Sequence, residues 1–293
     1  MTAPQGTSRK RSSTRPTDHR LIYGEIVPIF RWAGSKRKSL ASLTPFWNDR
    51  FERYVEPFAG SACLFLKLKP KEAVLADLNS ALIDAYETIR DQPGEVAEAL
   101  YAIPRNSRTY YKIRRTYKDA SDRVDRTAKF VYLNRNCFNG IFRTNLQGEF
   151  NVPFGADQGQ YPRLCDFETV SELLKRAILL RGDFGTTLLH LRKGDFVYLD
   201  PPFAATGTRT FVEYGKRSFE TDDLDRFERH LKRIDDRGAF FVVSYADCPR
   251  ARKIARGWNS RSILVRRHVA GFTSKRKVAG ELLISNLPIP EGV

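Results

Sequence analysis

The tightest constraint on the fold is an ordered run near the amino end: strand, glycine turn, helix, strand, acid. Tyr54-Val55-Glu56 reads as a short strand that runs into Pro57-Phe58-Ala59-Gly60-Ser61, and residues 62–68 have helical character. Ala73-Val74-Leu75-Ala76 is a second buried strand ended by Asp77, with Asn79 placed to cap a helix over residues 80–90. This is the order of a βαβ nucleotide-binding unit. Such a unit commits a chain to a largely parallel sheet with helices on its faces, and ligands then bind outside the carboxyl ends of the strands.

The α/β rhythm breaks and resumes further along. Residues 93–162 are dense in Arg, Tyr, Asn and Phe, with helices expected at 108–118 and 126–133. The polar stretch that follows, with Gly140 and Gly148, has hairpin character. Strands are then expected at 177–181, 195–199 and 239–244, with a helix at 222–234. Late strands at 263–269 and 281–285 flank the basic run Gly271-Phe272-Thr273-Ser274-Lys275-Arg276-Lys277. Tyr110, Tyr111 and Tyr132 stand at helical spacing and read as core. The first 20 residues, rich in Ser, Thr, Arg and Pro, have almost nothing to bury and are expected to be disordered. A sheet domain interrupted by a basic module fits this pattern.

Asp200-Pro201-Pro202-Phe203 follows the apolar strand directly, at the edge where chemistry is expected. A Pro-Pro turn alone is common; an acid before it and an aromatic after it are less so. The residues suit methyl transfer to an exocyclic amine. The amine of adenine delocalises its lone pair into the ring and is a poor nucleophile. Hydrogen bonds to the Asp200 carboxylate and the Pro201 carbonyl would favour a pyramidal nitrogen and free that lone pair. Pro201 and Pro202 fix the backbone, and Phe203 offers a face for an extruded base.

Upstream, the Gly60 turn lets backbone approach a cofactor, and the missing third glycine argues against a dinucleotide pyrophosphate. S-adenosyl-L-methionine has no phosphate and needs less glycine. Asp77 is placed to accept both ribose hydroxyls, although a strand-ending acid is often only a helix cap. In Phe30-Arg31-Trp32-Ala33-Gly34-Ser35-Lys36, the tryptophan and lysine suit cofactor packing and carboxylate binding.

Charge points to the partner. A net charge of +16 with pI ≈ 9.8 suits a polyanion, because cationic surfaces gain affinity by releasing counterions from phosphates. No basic helix with a clean apolar face suggests a membrane surface, no apolar run is long enough to span one, and a cytoplasmic protein is expected. Cys63, Cys137, Cys165 and Cys248 lack CxxC spacing and the four histidines are dispersed, so no metal site is expected.

With these residues in place, the sequence resembles the Dam-type family of adenine-N6 DNA methyltransferases, the α group of amino methyltransferases. The resemblance runs from Phe30 to about Leu287 and keeps the family's motif order. Its longest stretch is Leu133-Asn134-Arg135, then Phe138-Asn139-Gly140, Arg143 and Gly148-Glu149-Phe150-Asn151-Val152-Pro153-Phe154-Gly155. It implies a Rossmann-like S-adenosylmethionine-dependent methyltransferase sheet with an inserted helical and hairpin target-recognition domain. The catalytic domain would span 26–90 and 166–293, the insert 91–165, and a basic tail 1–25.

The resemblance also implies residue roles. Trp32 and Lys36 would contact the cofactor and Asp77 its ribose, while Phe58, Leu78 and Phe184 would enclose its adenine with Asp183 nearby. Asp200 would hold the methionine end as well as the target amine. Phe138 matches a position where the family inserts an aromatic beside the extruded base; Asn139, Ile141, Arg143 and Pro153 match DNA-contacting positions, and Arg31 also reaches DNA. Lys275 reads as a phosphate contact. Three departures stand out: Phe203 replaces the usual tyrosine, Phe142 replaces a smaller residue, and Asp157 stands where a relative has an aromatic. Arg143 suits guanine, so a GATC-like site in double-stranded DNA is the best single expectation. A monomer is expected, and a companion restriction endonuclease is compatible with this reading. An RNA base methyltransferase is the nearest alternative, and a DNA-binding protein on a decayed methyltransferase fold is another.

Overall fold

The βαβ unit is present, and its two strands pair side by side in the parallel part of the sheet. The computed structural model describes residues 26–120, 122–145, 149–155, 159–202, 221–266 and 278–293. The amino-terminal tail, Gly148, Asp157, Phe203 and Lys275, all named above, lie outside the described residues.

A one-turn helix, α1 (Leu40–Leu43), precedes β1 (Arg53–Glu56), all four of whose residues are buried. The glycine turn leads into α2 (Cys63–Leu68) and β2 (Glu72–Asp77). Asn79 accepts a hydrogen bond from Leu82 N at 3.2 Å and so starts α3 (Ser80–Asp91), whose Leu82, Ile83, Tyr86 and Ile89 are buried along one stripe. Next come α4 (Pro93–Tyr101), α5 (Ser107–Thr116) and α6 (Arg123–Asn136). α6 starts earlier than expected because Asp122 caps it, accepting from Asp125 N at 2.7 Å. α5 ends earlier because the chain tightens into a 3₁₀ turn over Tyr117–Asp119.

After two isolated antiparallel bridges, Cys137 to Phe154 and Thr144 to Phe150, come α7 (Leu164–Leu174) and β3 (Ala177–Arg181). Then follow α8 (Phe184–Leu189), β4 (Phe196–Leu199) and α9 (Thr221–Asp236). The described chain closes with β5 (Phe240–Ala246), α10 (Pro249–Ile254), β6 (Asn259–Arg266) and β7 (Val278–Ser285). β6 begins four residues before its expected start at 263. As the sheet's outer strand it leaves Asn259–Ser262 exposed, so no apolar alternation marks them.

The seven strands lie in the order β3-β2-β1-β4-β5-β7-β6, with β7 antiparallel to both its neighbours and the other pairs parallel. The chain moves outward from β1 to β3, then returns to β4 on the other side of β1. The crevice for a ligand in an open sheet lies at such a reversal, outside the carboxyl ends of β1 and β4. Strand alternation divides the core. Tyr54, Leu75, Phe196 and Tyr198 pack on one face with α3, α4, α6 and α7; Val55, Val74, Val197 and Leu199 pack on the other with α8, α9 and α10. Tyr110, Tyr132, Phe142 and Phe150 belong to the first of these clusters, so the stretch between β2 and β3 shares the sheet's own core.

Candidate active site

Three strand ends meet at the crevice. Gly60, just after β1, has φ +47, a conformation that favours glycine. Its N–H donates to Asp77 Oδ2 at 3.0 Å, and Asn79 N–H donates to Asp77 Oδ1 at 2.9 Å. The acid therefore ties its own turn to the turn after β1. A Cβ on Gly60 would stand 2.8 Å from Trp32 Cδ1, so the indole lies directly on the glycine. Burial pushes the Asp77 carboxyl above its ordinary range, and the two N–H bonds work against that shift.

Asp200 follows β4. Lys36, buried at 4% exposure, places its Nζ 2.8 Å from Asp200 Oδ1 and 3.5 Å from Glu281 Oε1 on β7. Ser39 Oγ donates to Glu281 Oε2 at 3.2 Å, and Ser244 Oγ on β5 donates to Asp200 Oδ1 at 3.4 Å. Tyr198 OH and Ser244 Oγ are 2.8 Å apart. Burial raises the Asp200 carboxyl above its usual range, the Lys36 ammonium opposes that most strongly, and Glu281 adds to it. Pro201 is buried and Pro202 half-buried.

An aromatic pair lies beside them. The rings of Phe58 and Phe184 stack at 5.3 Å with planes 29° apart. Asp183 caps α8, and its Oδ2 accepts from Arg226 Nη2 on α9 at 2.7 Å, while the Arg226 guanidinium stands 4.3 Å from the Phe184 ring centre. Leu78, next to Asp77, is 57% exposed, unusual for a large apolar residue and suited to a ligand's face.

The remaining site residues lie around α6. Asn134 fastens the loop of Arg31: its Oδ1 accepts from Arg31 N at 2.8 Å and its Nδ2 donates to Arg31 O at 2.7 Å. Arg31 packs on Gly140, where a Cβ would meet Arg31 Cβ at 2.6 Å. Phe138 N donates to Pro153 O at 2.9 Å, which pins the loop while leaving Phe138 40% exposed. Asn139 is left-handed at φ 56, and Ile141 accepts from Cys137 Sγ at 3.3 Å. Arg143 Nε donates to Asn151 Oδ1 at 2.8 Å. Phe142 stacks on Trp32 at 5.6 Å and also meets Phe130 and Phe150, so it joins the loop of Trp32 to α6 and the stretch that follows it.

Sequence reasoning missed Glu56, Glu281, Ser244, Asn134 and Arg226. The acids carried a usable signal. Glu281 is a charged residue inside an otherwise largely apolar strand and Glu56 ends a fully buried one, and an acid buried on a strand seldom lacks a reason. Ser244, Asn134 and Arg226 carried none, because their partners are set by packing.

A reversed parallel sheet, an acid ending the strand after a glycine turn, and Asp-Pro-Pro after β4 define a Rossmann-like methyltransferase. The family model for the D12 class of N6 adenine-specific DNA methyltransferases matches residues 32–270, and the chain belongs to this family. It is 31% identical over 273 residues to the type II methyltransferase M1.LlaDCHI of Lactococcus lactis subsp. cremoris, covering 89% of this chain and 95% of that protein. It is 31% identical over 289 residues to the type II methyltransferase M.MjaIII of Methanocaldococcus jannaschii, covering 89% and 99%. It is also 30% identical over 264 residues to a DNA adenine methylase of Vibrio cholerae, covering 87% and 94%. The protein is thus an enzyme of adenine-specific DNA methylation. Among the described residues, no helix is long and apolar enough to cross a membrane.

Proposed function

We propose that the chain transfers a methyl group from S-adenosyl-L-methionine to N6 of an adenine extruded from duplex DNA, at a specific sequence. The observation that carries this reading is the meeting of Asp77, Gly60 and Asp200 at the chain reversal, with Lys36 held on Asp200. When bound, the cofactor supplies an electrophilic methyl on a sulfonium. The residues fit it by chemistry. Asp200 and Glu281 flank Lys36, and Glu56 stands within electrostatic reach of both Asp200 and Asp77, an acid surplus suited to a ligand of net positive charge.

Asp77 keeps lone pairs beyond its two backbone bonds and would hold the ribose. Leu78, Phe58 and Phe184 would enclose the purine, with Asp183 at its edge, and Trp32 would contact the cofactor from the Gly60 side. Lys36 would face the cofactor carboxylate and keep Asp200 ionised. Asp200 and the Pro201 carbonyl would accept from the target amine, pyramidalising the nitrogen and orienting its lone pair in line. Phe203 would stack on the extruded base.

Residues 91–165 form the proposed target-recognition domain, between catalytic parts 26–90 and 166–293. Phe138 would wedge beside the gap left by the base, while Arg31, Asn139, Ile141 and Pro153 would meet DNA around it and Lys275 a phosphate. Arg143, already turned by Asn151, would read a guanine in a GATC-like site. A monomeric enzyme acting alone or beside a restriction endonuclease fits equally.

Methyl incorporation into duplex DNA, with RNA as the competing substrate, tests the reading; transfer to RNA alone would overturn it. Asp77→Ala should weaken cofactor binding about tenfold or more, since a charged hydrogen bond is typically worth about 1.5–3 kcal/mol. Unchanged calorimetric affinity would reduce Asp77 to a tie between two turns. Arg143→Ala should relax discrimination at one base pair by roughly 1–3 kcal/mol. Initial rates on single-base variants of the cognate site check this, and an equal fall on every site would make Arg143 a backbone clamp.

A further inference from the structure

Phe142 is buried, while Ile141 and Arg143 on either side of it are half-buried. Its ring lies nearly parallel to the Trp32 indole, with centres 5.6 Å apart and planes 14° apart. It also meets Phe130 of α6 at 5.5 Å and Phe150 at 5.6 Å. The indole has a second neighbour in the glycine turn, since a Cβ on Gly60 would stand 2.8 Å from Trp32 Cδ1. Gly60 N–H in turn donates to Asp77 Oδ2 at 3.0 Å. A line of direct contacts therefore runs from Asp77 through Gly60 and Trp32 to Phe142. A second line runs beside it, where Asn134 holds both backbone groups of Arg31 and Arg31 packs on Gly140.

The stretch at the far end of these lines is weakly paired. Two isolated bridges, Cys137 to Phe154 and Thr144 to Phe150, hold residues 137–145 and 149–155 together with single backbone bonds such as Asn151 N to Arg143 O at 3.1 Å. Segments without a ladder open at low free energy, so their order depends on side-chain packing. Stacked aromatic rings contribute beyond their buried area and favour a fixed mutual orientation. Phe142 thus anchors this stretch and at the same time sets the angle of the indole.

We propose that Phe142 is a positioning residue for cofactor binding, and that through its stack on Trp32 a bound cofactor steadies residues 137–145 and 149–155 before DNA arrives. This rests on the cofactor and DNA reading above. Trp32 is half-buried, which leaves part of its surface open to a ligand. A ligand that packs on the indole restricts it, and the ring stacked on the indole is restricted with it. Ile141 and Arg143 are then already ordered when DNA meets them, so less entropy is lost in that step. By linkage, DNA raises cofactor affinity by the same factor. Contact alone does not establish such a link; a response at the far end does.

Amide hydrogen exchange with and without S-adenosyl-L-methionine, in the absence of DNA, tests the idea. In the wild type the cofactor should slow exchange in peptides covering 137–145 and 149–155 by about threefold or more, as well as at Gly60 and Asn79. Phe142→Leu keeps an apolar side chain and removes the stacking face. It should weaken cofactor binding about threefold to tenfold in calorimetry and lose the distant slowing, while Gly60 and Asn79 stay protected at saturating cofactor. Protection confined to Gly60 and Asn79 in the wild type would overturn the proposal, a result that does not depend on the variant folding. Distant slowing that persists in Phe142→Leu, or unchanged cofactor affinity in that variant, would overturn it as well. Absence of any protection in the wild type, with no heat of binding, would instead overturn the cofactor reading itself.

Discussion

Replacing Asp200 with alanine should lower the rate of methyl transfer at least about a hundredfold while DNA binding and folding survive. The loss follows from the role: one preorganised hydrogen-bond partner at a reacting group is worth about 10²–10³ in rate. Survival follows from the surroundings. Lys36 would be a stranded buried cation if Asp200 were its sole partner, but Glu281 Oε1 stands 3.5 Å away. Ser244 likewise keeps its contact with Tyr198 at 2.8 Å. Single-turnover transfer of labelled methyl, read beside a DNA-binding titration and a thermal melt, separates the outcomes. Near-normal turnover would sink the assigned mechanism. Acid should act in the same direction. The amine needs an ionised acceptor, and burial raises Asp200, so the rate should fall with decreasing pH earlier than for an ordinary aspartate.

The parts of the site that follow strand order were legible in the sequence. An acid that ends one strand and an Asp-Pro-Pro that ends another must come to the same sheet edge once the strands are parallel, whatever the side chains between them do. Asp77 and Asp200 needed no knowledge of packing. Lys36 came from its loop motif, but its burial between two carboxylates depends on β7, a strand more than 240 residues away. Nothing local announces such a contact, so Glu281 was passed over. The stretch between β2 and β3 stood out in the sequence by texture alone. Its segment after α6 folds back through two isolated bridges, held by single bonds such as Phe138 N to Pro153 O, and not through a ladder with a period of two. β6 was placed late for a related reason: an outer strand with exposed polar residues has no buried face to leave an alternation. Phe142 is a residue where departure from a pattern was informative. Its size, which stood out in the sequence, fills the space against Trp32.

The largest expected loss of stability lies at the other end of the sheet. Arg53 begins β1, and Asp195 precedes β4; both are buried, at 6% and 2% exposure. The guanidinium grips the carboxylate with two bonds, Nε to Oδ1 at 2.9 Å and Nη2 to Oδ2 at 2.6 Å. Nη2 also donates to His190 O at 3.1 Å, and Arg192 N donates to Asp195 Oδ2 at 2.7 Å. The pair thus closes the amino ends of two central strands and the turn after α8. Arg53→Ala would leave the Asp195 carboxylate buried with one backbone donor, and breaking such a pair costs about 3–5 kcal/mol. For a chain of this size the melting midpoint should drop by roughly 10 °C. Asp195→Asn in the same chain should recover part of the loss, since the stranded charge is the main cost and not the missing attraction. Methyl transfer per folded molecule should stay near wild type at low temperature. Asp195 and Asp200 lie about 16 Å apart along β4 at about 3.3 Å per residue, so the catalytic edge does not sense the change directly. A melt of Arg53→Ala within about 2 °C of wild type would mean that water reaches Asp195 and solvates it, and that the pair is not closed by the core.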